Sequence, residues 1–62
     1  MINRAAIREA YEENLAAVHR IIPNPGAEDF RLCVSLAAEQ TDHTEAEALS
    51  VMVDELAEKG AA

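Results

Sequence analysis

The chain holds 62 residues, twelve of them acidic and five basic, for a net charge of −7. That length allows one domain, residues 1–62, and a chain so short buries only about 60% of its unfolded surface, which makes a single-copy core marginal. Cys33 is the only cysteine, so no internal disulfide can reinforce the core, and the acid excess opposes direct binding to nucleic acid.

The first helix is expected to start after Asn3, a good N-cap, and to run to about residue 22. Ile7, Tyr11, Leu15, Val18 and Ile22 recur three and four residues apart, which puts them on one face. Glu9, Glu12, Glu13 and Arg20 fall outside that face, and Pro23 ends the helix by pushing Ile22 out of helical geometry. The charges at Arg4, Arg8, Glu9, Glu12 and Glu13 also break any apolar run that a signal peptide or membrane span would need. With its lone thiol the chain reads as a cytoplasmic protein that makes no membrane contact.

In the break Pro23-Asn24-Pro25-Gly26, Asn24 can cap a second helix with Pro25 at its first position. That helix is expected over 25–40, with Glu28 and Asp29 placed favourably against its dipole. Phe30, Cys33, Val34 and Ala37 make its core stripe, while Leu32 and Leu36 lie on another side. A helix apolar over so much of its circumference is covered on more than one side. A three-helix monomer needs one stripe per helix, and the surplus points to association through helix 2.

A third helix is expected over 44–59, opened by the capping box Thr44-Glu45-Ala46-Glu47 and closed by Gly60 as a C-terminal cap. Leu49, Met52, Val53 and Leu56 read as its core stripe, with Val51 apart from them on the acidic side. The charge is uneven along the chain. Residues 1–31 set four arginines against five acids, and residues 32–62 set Lys59 alone against seven.

Motifs that carry chemistry are missing. His19, Cys33, Asp42 and His43 are the candidate metal donors, and no pair of histidines or cysteines has ligand spacing. Asp42-His43 reads as a turn. Cys33 sits on a core stripe, where cysteine behaves as a small hydrophobe rather than a nucleophile. The carboxylate pairs Glu9/Glu13 and Asp54/Glu58 fall on outward faces, away from any pocket that would raise a pKa. The Pro23–Gly26 break has one glycine and no nearby lysine, unlike a phosphate cradle. A DNA-reading helix would need basic or amide side chains at its start, where helix 3 offers Glu45 and Glu47.

Pro23, Ala27, Phe30, Cys33-Val34, Ala37-Ala38, Asp42 and Ala46 resemble a single tetratricopeptide repeat over residues 23–53. The chain departs from that pattern where leucine-glycine should replace Cys33-Val34, at the aromatic expected near Ala37, and in the absent closing proline. One repeat cannot bury its own faces. The resemblance therefore implies a helical hairpin over 27–57 and no binding residues.

The expected fold is an all-α, three-helix up-down-up domain. Its expected core is Ile7, Tyr11, Leu15, Val18, Ile22, Phe30, Cys33, Val34, Ala37, Leu49, Met52, Val53 and Leu56. The expected function is not catalytic and uses no cofactor, metal or small-molecule substrate. It is that of a small acidic interaction module (adaptor, regulator or inhibitor) docking an apolar patch of Leu32, Leu36 and Val51 on another protein, a second copy included. The alternative is an acidic decoy of the kind phages encode, in which Glu45, Glu47, Asp54, Glu55 and Glu58 mimic nucleic acid before a protein that binds it.

Overall fold

The computed structural model describes residues 1–61, with side chains through Lys59. It contains three helices: α1 (Arg4–His19), α2 (Ala27–Gln40) and α3 (Glu45–Ala61). Each helix touches the other two, α1 and α3 least.

The start of α1 follows from Asn3, whose side-chain Oδ1 accepts from the Ala6 N–H at 3.1 Å. Its end comes earlier than the periodicity suggests. Helical geometry stops at His19, and the Ile21 and Ile22 N–H groups both donate to the Val18 carbonyl, tightening the last turn before Pro23. Ile22 is thereby carried off the core face and is 38% exposed, a correction to its expected burial.

The start of α2 is also displaced. Its N-cap is Gly26 rather than Asn24, because the Asp29 carboxylate reaches back to accept from the Gly26 N–H at 2.9 Å. Pro25 therefore precedes the helix instead of opening it. Glu28 and Asp29 occupy the first turn as expected.

The turn into α3 is closed on both sides. At the end of α2 the His43 N–H donates to the Ala38 carbonyl and the Asp42 N–H to that of Glu39, the paired bonds of a Schellman motif. The motif needs a left-handed residue, and Asp42 supplies it with φ of 60°. Thr44 and Glu47 then form the expected capping box: Glu47 Oε1 accepts from the Thr44 N–H at 2.8 Å, and Thr44 Oγ1 from the Glu47 N–H at 3.1 Å. Gly60 lies within α3, which continues to Ala61, so it is not the cap expected of it.

His43 ties this turn to α1. Its Nε2 accepts from the Asn3 N–H at 3.1 Å, and its Nδ1 lies 2.9 Å from Thr41 Oγ1, which donates to the Ala37 carbonyl at 2.6 Å. The start of α1 thus lies beside the turn that follows α2. Asn14 adds a second link, donating to the Ala10 carbonyl and to Gln40 Oε1.

The core is built from small side chains. Ile7, Tyr11, Cys33, Val34 and Met52 are buried with Ala10, Ala37, Ala38, Ala48 and Val51. Leu15, Val18 and Phe30 pack partly against them, and Phe30 meets Tyr11 edge-on with ring centroids 5.8 Å apart. The molecule measures 34 × 28 × 16 Å. Its Cα radius of gyration is 11.1 Å, close to the roughly 11 Å of a compact domain of this length.

Candidate docking surface

The orientation of α3 differs from expectation, and the surface changes with it. Ala48, Val51 and Met52 face the core, whereas Leu49 is 40%, Val53 52% and Leu56 40% exposed. These three belong to the expected core, and the fold places them outside it. Val51, expected on the surface, is 4% exposed and packs inside. Helix 3 carries two apolar stripes, and the one bearing Ala48, Val51 and Met52 faces inward.

On α2, Leu32 is 52% exposed, as expected, while Leu36 is half-buried. The two stand one turn apart, but Val51 does not join them. None of the five leucines is buried. Three of them are exposed while four alanines are buried, against the usual preference for covering leucine first.

Between α1 and α3 a groove runs along the open side of the core. Tyr11, Leu15, Met52 and Leu56 line its floor, and Arg8, Glu12, Glu55 and Lys59 its rim. It holds about 100 Å³, against the roughly 300–1,000 Å³ of small-molecule sites. Through Leu56 the groove joins the exposed stripe of Leu49 and Val53.

The acids of α3 are less available than their number suggests. Glu47 is held in the cap of its own helix. Those hydrogen bonds, first the one from the Thr44 backbone, keep its carboxyl below the usual glutamate range. Arg4 reaches across from α1 to Glu55 Oε1 at 3.1 Å and Asp54 Oδ2 at 3.8 Å. Glu45 and Glu58 are exposed. The carboxylates of Glu9, Glu13, Asp54 and Glu58 also lie on exposed faces.

Among the described residues no three His, Cys, Asp or Glu side chains gather as a metal site would require. His19 is exposed, His43 serves the turn, and Cys33 is buried. Burial, with a smaller contribution from Asp29, raises the Cys33 thiol above its ordinary pKa and keeps it protonated. Burial likewise raises Tyr11. No described helix is long and apolar enough to cross a membrane.

The exposed stripe has a signal in the sequence, a repeat with spacing 3-4-3 at Ala46, Leu49, Val53 and Leu56. That spacing is the heptad pattern of a helix seam that faces another helix. Comparison with protein-family profiles, curated proteins and solved structures finds no match to this chain.

Proposed function

We propose that the chain is a small protein–protein interaction module of the cytoplasm, an adaptor, regulator or inhibitor, that docks through Leu49, Val53 and Leu56 of α3 and Leu32 of α2. It acts by binding and carries out no catalysis. One observation carries this reading: Leu32, Leu49 and Leu56 stand exposed while four alanines help to fill the core. Apolar side chains grouped on a face are where partners gain most from burial, about 25 cal/mol per Å² of apolar surface. The groove beside Leu56 is too small for a substrate but suits an inserted side chain.

The acidic decoy is the second reading, favoured by the net charge of −7. It loses support from the internal engagement of Glu47, Asp54 and Glu55.

Two variants separate these readings, with the native chain immobilised as bait in cell extract. Val53→Asp is expected to keep native helicity and lose the proteins that the native chain retains. Replacing Asp54 by asparagine and Glu58 by glutamine is expected to leave capture intact. The opposite pattern, with steep loss of capture as salt rises, would establish the decoy and remove the docking function.

A further inference from the structure

We propose that the α3 seam is occupied by a second copy of this chain, with the two α3 helices antiparallel about a two-fold axis. The proposal rests on the docking reading above and names its partner.

Among the described residues the seam is the one long apolar strip on which a like-charged copy can sit. Ala46, Leu49, Val53 and Leu56 are all exposed, and Ser50 and Ala57 beside them extend the uncharged face. On the helical repeat of 3.6 residues, Glu47, Asp54 and Glu58 fall on the far side of α3. Two copies of net charge −7 can therefore meet here without bringing those acids together. The Leu32 face of α2 does not offer this, because Glu28 stands one turn before Leu32, with Asp29 and Glu39 alongside.

The charges at the ends of the seam select the direction. In an antiparallel pair, each first seam position of a heptad faces the second seam position of the partner helix. Val53 then lies over the partner's Leu49, and Ala46 over the partner's Leu56. The same register brings Glu45 opposite the partner's Lys59, and Lys59 opposite the partner's Glu45. Parallel helices would leave both charges without opposites. Antiparallel alignment also sets the two helix dipoles favourably. Alternation of small Ala46 with large Leu56, and of Val53 with Leu49, lets the two surfaces interdigitate. The groove of Tyr11, Leu15, Met52 and Leu56 lies on the Lys59 side of the seam, where the partner's α3 would cover it.

Sedimentation equilibrium on the full chain at tens of micromolar tests this, with helicity recorded for each variant. The native chain is expected at twice its mass, and Val53→Asp as a folded monomer. Glu45→Lys and Lys59→Glu are each expected to raise the dissociation constant about fivefold, since each turns two symmetric attractions into repulsions. The double variant Glu45→Lys/Lys59→Glu restores opposite charges and is expected to return near the native value, although each change alone opposes the helix dipole. A native monomer that still captures proteins through Val53 overturns the second copy and leaves the docking function standing. A dimer untouched by Val53→Asp overturns both. A dimer lost in Val53→Asp but indifferent to the charge exchange overturns the antiparallel register.

Discussion

Asp42 shows how one residue can carry strain for the sake of a turn. A left-handed backbone costs a residue with a Cβ about 1–2 kcal/mol, and Asp42 accepts it at φ of 60° so that the Schellman bonds can form. Glycine has no such penalty but loses more entropy on folding, by about 0.5–1 kcal/mol. Asp42→Gly is accordingly expected to stabilise the chain by about 0.5 kcal/mol, a gain that chemical denaturation would measure. Cys33 tests the core at the same scale. Fully buried and held as the neutral thiol, it is expected to resist thiol reagents until the chain unfolds. Cys33→Ala is expected to cost about 1 kcal/mol, as for a modest core truncation. Glu47 gives a pH dependence of known sign. Its folded carboxyl titrates below the unfolded value of 4.5, so its contribution is fully present above that pH. It disappears as pH falls through the lower folded value. Glu47→Gln is expected to flatten that part of the acid unfolding curve.

At the scale of the helix, the clearest outcome concerns which stripe of α3 faces inward. Leu49→Asp is expected to leave the fold intact, because Leu49 is 40% exposed and a charge there stays in water. Val51→Asp is expected to unfold it, since an unpaired charge would enter the core; circular dichroism of the two variants reads the difference directly. Periodicity identified all three helices and the caps at Asn3 and Thr44, because backbone donors at helix starts must be satisfied locally. It also placed Ile7, Tyr11, Cys33, Val34, Ala37 and Met52 correctly in the core. It failed on α3 for a physical reason. Two apolar stripes lie side by side there, and size favours Leu49, Val53 and Leu56. Packing against α1 and α2 instead turns Ala48, Val51 and Met52 inward. Such a choice is made by the packing of three helices together, and no single helix reveals it. The helix boundaries moved for a related reason, since the Asp29 carboxylate decides where α2 begins.

For the molecule as a whole, a small core and marginal stability are two sides of one problem. Ten side chains make up the buried core, four of them alanine, while ordering costs about 1.5 kcal/mol for each residue of the chain. Neither disulfide nor metal cluster is present among the described residues to offset this. Surface contacts add little: the exposed Arg4 pairs with Asp54 and Glu55 belong to a class worth about 0–1 kcal/mol. Covering Leu49, Val53 and Leu56 is the largest reserve left, and it is realised only when something sits on them. Folding should therefore depend on occupancy of the seam. For a chain that folds as a dimer, a hundredfold rise in concentration adds about 2.7 kcal/mol to each dimer, or about 1.4 kcal/mol per chain. In a domain of this size each kcal/mol moves the melting temperature by about 4–8 °C, so the midpoint is expected to climb by on the order of 10 °C. Val53→Asp should melt lower and at one temperature whatever its concentration. Thermal melts of both chains across that range measure the contrast, and a native midpoint that stays constant would show that the monomer is stable without its exposed leucines covered.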